Sequence, residues 1–202
     1  MKYICIGKNY HAHAAEMGST APEEPMFFFK PEQASSKVPG EFAYPSFSQD
    51  VQYEAELAVL IDRPLRNASL EEAGSAYSQI SIGLDFTARD LQRRQKSLGH
   101  PWEICKAFED SAPVGTWVDC PEDIQDIKFT LEVNGEVRQQ GHTRDMVFPI
   151  ARLLSHVSRY ITIDAGDILL SGTPEGVGQV QPGDELKAFL EGNLVLQVTV
   201  VK

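Results

Sequence analysis

The chain is poor in positive charge. It carries 18 Lys and Arg against 29 Asp and Glu, for a net charge of −11. That excess argues against nucleic acid or an anionic membrane surface as partner, because both select basic patches. Cysteine is also scarce: three residues, Cys5, Cys105 and Cys120, with no CxxC spacing. An odd count without metal-ligand spacing excludes a disulfide framework and points to a reducing, cytoplasmic setting. No apolar run approaches the ~20 residues that cross a bilayer. The opening "MKYICIGKNY" has no apolar core or cleavage site, so no signal peptide is expected. What remains is 202 residues, 42% hydrophobic, enough for one sizeable core. If the substrate is anionic, the site must supply local positive charge despite the acidic total.

Residue patterns predict a β-rich chain with a few helices. "KYICIG" reads as a strand closed by Gly7, and "NYHAHAAEMG" as a short helix capped by Asn9 and stopped at Gly18. Residues 19–50 hold five prolines and read as an irregular arm with a strand at "MFFFK". "DVQYEAELAVLI" reads as one strand, Asp50 to Ile61. "SLEEAGSAYSQ" reads as a helix capped by Ser69, "ISIGLDF" as a strand ending near Asp85, and "ARDLQRRQKSLG" as a helix ending at Gly99. Asn134-Gly135 between alternating runs marks a hairpin. "FPIARLLSHVSRYI" is an amphipathic helix, and "DILLSG", "DELKAFLE" and "LVLQVTVVK" form a closing strand series. Strands and helices do not alternate regularly, which excludes a doubly wound sheet and predicts an α+β fold, a mixed β-sandwich roll with peripheral helices.

Glu54 and Glu56 lie two apart on the predicted strand, hence on one face and about 6.6 Å apart along it. With Asp85 they make an all-oxygen carboxylate set, which suits Mg²⁺ or Mn²⁺ better than Zn²⁺. The bland alternative is a solvent-facing strand with Asp85 capping the next helix. His13 and Glu16 are i and i+3 on the first helix, the geometry in which a carboxylate makes an imidazole a better base. A zinc site of His11, His13 and Glu16 is the rival, weakened because His11 and His13 fall on different faces. An ordinary polar surface helix is the third reading. Lys106 sits among Trp102, Ile104, Ala107 and Phe108, so it either snorkels or points into a pocket. Arg89 and Gln92 share a helical face just after Asp85. "SGTPEGVG", with Gly172 and Thr173, offers backbone N–H groups for a carboxylate but lacks GK[ST] and is no P-loop.

In combination, "GKNYHAHAAEM", "YEAELAVLI", "GLDFTARDLQ", "GHPWEICKAFEDSAPVG" and "SGTPEGVG" resemble the fumarylacetoacetate hydrolase family, in particular its small acylpyruvase and oxaloacetate decarboxylase-like members. The resemblance runs from about Ile4 to the C-terminus. It implies a single catalytic domain over 1–202, a homodimer, and Mg²⁺ (or Mn²⁺) on Glu54, Glu56 and Asp85; the segment 9–22, which carries His13 and Glu16 and is broken from the core by Gly18 and nearby prolines, is expected to be a lid. It further implies His13 and Glu16 as a water-activating dyad, Lys106 facing substrate, and Arg89, Gln92, Gly172 and Thr173 as substrate contacts. Lys8 stands where the family's "GRNY" often has Arg, keeping the charge without the bidentate grip. The implied activity is hydrolysis of the C–C bond of acylpyruvates or other 2,4-dioxo acids. Alternatives on the same site are oxaloacetate decarboxylation, isomerisation of a hydroxy-diene-dioate or tautomerisation of oxaloacetate. The non-enzyme alternative is a 2-oxo acid binding protein.

Overall fold

A computed structural model describes residues 1–202. Its strands are β1 (Lys2–Gly7), β2 (Met26–Pro31), β3 (Glu41–Ala43), β4 (Val51–Tyr53), β5 (Ala55–Ile61), β6 (Tyr77–Leu84) and β7 (Thr87–Ala88). They continue with β8 (Val118–Asp119), β9 (Lys128–Val133), β10 (Glu136–His142), β11 (Ile168–Leu170), β12 (Gly178–Gln179), β13 (Glu185–Leu190) and β14 (Asn193–Val201). Five helices, α1 (His11–Glu16), α2 (Leu70–Gly74), α3 (Arg89–Leu98), α4 (Glu103–Lys106) and α5 (Ile150–Ser158), lie between them. The strands form a six-stranded sheet, β2-β1-β11-β5-β6-β8, a five-stranded sheet, β10-β9-β13-β14-β3, and a small third sheet, β12-β4-β7. This is the mixed, β-rich α+β architecture that the residue patterns predict. No helix is long and apolar enough to cross a membrane.

Burial follows from position in the sheets. β5 is central in the large sheet and is buried on both faces, which its near-continuous apolar run requires. β13 alternates half-exposed and buried residues, the period-two pattern of a sheet with one wet face. The main core lies between the two larger sheets and joins Leu57, Val59 and Ile82 to Leu131, Leu186 and Val198. A smaller cluster, including Cys5, Ala58 and Leu170, covers the opposite face of the large sheet. Asn134 and Gly135 adopt φ of +55° and +80° between β9 and β10, the left-handed pair that closes a two-residue hairpin.

Three expectations need correction. "DVQYEAELAVLI" is two strands, not one: β4 pairs with β12 and β7, whereas β5 pairs with β11 and β6. The chain changes sheets at Glu54, whose carbonyl instead accepts the Asp85 N–H at 2.8 Å. Asn9 does not cap α1. Tyr10 holds that position without a side-chain bond, because Asn9 is fully buried and saturates loop backbone: its amide donates to Ser171 and Phe148 carbonyls and accepts the Phe148 N–H. Finally, α2 ends at Gly74. Ser69 and Glu72 form a reciprocal capping box at its start, but β6 pairing claims the residues from Tyr77 onward.

Candidate active site

The sheet change at Glu54 builds the site. Glu54 emerges at the junction, Glu56 is the second residue of β5, and Asp85 follows the last residue of β6. The Asp85 N–H bond to Glu54 holds the two segments together. The three carboxylates each offer an oxygen within 4.8 Å of the others. Glu54 is 5% exposed, Glu56 and Asp85 each 1%. A solvent-facing strand is therefore ruled out, since buried like charges at this spacing repel strongly.

Two lysines answer that repulsion. Lys106, at the end of α4, points inward and is 3% exposed. Its ammonium donates to Glu54 Oε2 at 2.7 Å, Asp85 Oδ2 at 2.7 Å and Thr87 Oγ1 at 2.6 Å. Lys30, at the end of β2, is fully buried. It donates to the Phe86 and Ser111 carbonyls and lies 2.7 Å from Asp85 Oδ1, an ion pair that lacks hydrogen-bond alignment. Arg89 donates from Nη2 to Glu54 Oε1, from Nε to Gln52 Oε1 at 2.8 Å and from Nη1 to Gln92 Oε1 at 2.7 Å. Gln92 thus fixes the guanidinium. Glu56 faces no cation within bonding distance; its partner is the Gly172 N–H, at 2.7 Å. Gly172 sits at φ +98°, and a Cβ there would lie 2.7 Å from Asn9 Cβ, so only glycine delivers that amide.

Protonation reflects this asymmetry. Burial would raise Glu54, but Lys106 and Arg89 outweigh it and hold its carboxyl well below the usual range. Burial, then Asp85 and Glu54, push Glu56 well above that range. Burial alone would lower the Lys106 ammonium, but Asp85 and Glu54 hold it above the ordinary lysine value. A buried, all-oxygen trio whose oxygens lie within 4.8 Å of one another, with Glu56 facing no cation, fits a hard divalent cation.

His13, on the buried side of α1, lines the same cleft as the carboxylates, with Arg89, Gln92, Lys106 and Thr173. Its Nδ1 lies 3.2 Å from Glu16 Oε2. Glu16 also accepts the Gly176 N–H at 3.0 Å, tying α1 to the "SGTPEGVG" turn. His11 is exposed and lies outside the cleft, so the three-residue zinc reading has no geometry. The Thr173 hydroxyl donates to the Ala55 carbonyl and accepts from Gln139 Nε2, while the Gly172 amide is committed to Glu56. The cleft encloses about 40 Å³ with Lys106 seated between the acids.

The residues singled out in the sequence thus converge, and several others were missed. Lys30 is one, although a lysine ending "MFFFK" just before Pro31 is an anomaly that could have flagged it. Gln139, which bridges the Ala55 N–H and Thr173, gave no signal, because its partners lie more than thirty residues away in sequence.

Fold and sequence together gather three buried carboxylates, compensating cations and a histidine–carboxylate pair at one cleft. Residues 2–201 match the family model for the fumarylacetoacetate (FAA) hydrolase C-terminal domain, and the chain belongs to that family. It is 44% identical over 195 residues to the oxaloacetate tautomerase YcgM of Escherichia coli K12, covering 95% of this chain and 89% of that protein. A fumarylacetoacetate hydrolase family protein from Yersinia pestis CO92 superposes with a TM-score of 0.94 at 44% identity, covering 99% of this chain and 93% of that one. A fumarylpyruvate hydrolase from Pseudomonas aeruginosa, solved with Mn²⁺ and pyruvate, superposes at 0.91 with 37% identity, covering 100% and 89%.

Proposed function

We propose that this chain is a divalent-metal-dependent tautomerase of oxaloacetate. Its supporting observation is that a single histidine–carboxylate proton carrier and a buried carboxylate trio share one cleft. The kinship with an oxaloacetate tautomerase favours this reading over C–C hydrolysis, the first expectation from the resemblance. Glu54, Glu56 and Asp85 are the residues that would hold Mg²⁺ or Mn²⁺, and the metal would supply Lewis-acid polarisation of the 2-oxo group.

Ketonisation moves one proton. The enol O–H at C2 gives up its proton and C3 gains one; the reverse direction removes a proton from C3. His13 is the group to carry it, with Glu16 stabilising the imidazolium. Lys106 and Arg89 stabilise the negative charge that develops on the C2 oxygen. Gln92 holds Arg89 in line. α1 acts as a lid latched through Glu16 and Gly176.

A second reading has its own support. The same dyad can activate water for cleavage of an acylpyruvate, and the kinship with fumarylpyruvate hydrolase favours it. One experiment separates them: follow loss of enol-oxaloacetate absorbance, and in parallel pyruvate release from oxaloacetate, acetylpyruvate and fumarylpyruvate, with Mg²⁺, with Mn²⁺ and with chelator. Enol loss well above the metal-only control without pyruvate supports the tautomerase. Enol loss no faster than that control overturns it, and pyruvate from an acylpyruvate makes the chain a hydrolase. Static light scattering checks the homodimer that family kinship suggests.

A further inference from the structure

The proton carrier and carboxylates use only the inner part of the cleft. Its outer part is lined by Lys8, Met17, Met26, Phe28, Lys96 and Trp102. Neither Lys8 nor Lys96 makes an ion pair, although the chain has 29 acidic residues to place beside them. Lys96 lies over the Trp102 ring, 5.5 Å from its centroid, and Trp102 packs on Phe28. The ammonium is therefore aimed by an aromatic wall rather than by a carboxylate. Burial, then the nearby Arg89 and Lys8, lower the Lys96 ammonium below its usual value, so these cations share one field.

Lys8 supplies an independent observation. Its backbone sits at φ +60°, a left-handed conformation that costs a non-glycine residue stability. A glycine at position 8 would adopt that turn without the cost. A strained lysine facing a cleft is retained for its side chain.

We propose that Lys8 and Lys96 form a clamp for the distal carboxylate of a 2-oxo diacid, making the cleft selective for dianions over monocarboxylates of the same length. The inference rests on the tautomerase reading for the inner carboxylate and 2-oxo group, and it assigns the other end of that substrate. Four cations line the cleft against three carboxylates, before any divalent ion is added. A monoanion would leave the outer pair uncompensated, whereas a dianion neutralises both ends.

The test uses binding alone, so that it does not depend on turnover. Calorimetry of the full chain in saturating Mg²⁺ compares malate with 2-hydroxybutyrate, which replaces the distal carboxylate by a methyl group. 2-Hydroxyglutarate, one methylene longer, reports the chain length the clamp accepts. Malate should bind about tenfold or more tighter than 2-hydroxybutyrate, as expected for charge-assisted bonds. Lys96→Met and Lys8→Gly should each weaken malate several-fold and leave 2-hydroxybutyrate unchanged, while Lys96→Arg keeps most of the preference. Because glycine accepts φ +60°, Lys8→Gly should melt no earlier than wild type, which separates lost recognition from lost fold. Equal binding of the two ligands by wild type, binding of neither, or a parallel loss of both in the variants overturns the clamp. Dianion preference in a protein that fails to ketonise oxaloacetate leaves the clamp standing and removes the tautomerase reading.

Discussion

Two stretches of this chain place charges two residues apart. In β13, Glu185 and Lys187 have opposite signs, lie on the half-exposed face and pair at 2.6 Å. At the β4–β5 junction, Glu54 and Glu56 have the same sign and are almost fully buried. The first pair is an ordinary solvated contact, marginal for stability because water screens it. The second needs Lys106, Arg89 and the Gly172 amide to exist at all. Spacing alone therefore says little. A charge pattern becomes a functional signal when the fold dries it and spends distant cations on it.

That contrast can be broken at the junction first. Asp85→Asn or Glu56→Gln should lower metal-dependent turnover by about three orders of magnitude, the scale of losing an ion's charge stabilisation. Without metal, Glu56→Gln should melt no earlier than wild type, since it replaces a carboxyl whose charged form burial, Asp85 and Glu54 disfavour. On the proposed metal reading, Mg²⁺ should raise the melting temperature of wild type and leave that of Glu56→Gln unchanged. Thermal melts with and without metal check both halves; a clearly less stable metal-free Glu56→Gln would contradict the account of buried repulsion.

Lys106→Met comes next. It strips the ammonium from two buried carboxylates and should destabilise the metal-free protein by about 3 kcal/mol in urea unfolding. Added Mg²⁺ should restore part of that loss, because an ion held by Glu54 and Asp85 would neutralise them in place of the ammonium.

His13→Ala should cut turnover about a hundredfold while leaving the metal-induced melting shift intact. An equal loss of metal response would place His13 among the ligands instead of in proton transfer. Hydrogen exchange over residues 9–22 should slow when oxalate binds, if α1 closes as a lid.

The smallest effect belongs to the solvated pair. Lys187→Ala should change unfolding free energy by less than about 1 kcal/mol and should not alter activity. A larger cost would mean that the strand face is not the screened surface described here.

Residue pattern was enough for most of the architecture. Period-two alternation marks β9 and β13, Asn134-Gly135 marks the β9–β10 hairpin, and helical periodicity with Gly99 at φ +66° bounds α3. These signals are local, so a sequence carries them openly. The carboxylates, His13–Glu16, Arg89 and Lys106 were legible through their order along the chain and its resemblance to one family. What tertiary structure decided was their state. The break at Glu54 arises because two different sheets compete for one apolar run, and only strand pairing between distant segments settles that competition. Lys30 reaches Asp85 across 55 positions of chain, and Asn9 gives up its capping role to loop backbone beyond residue 147. Burial, and with it the sign and strength of each charge's environment, belongs to contacts between remote segments. Local sequence specifies which groups are available; the packed fold alone fixes how dry they are and which opposite charge they meet.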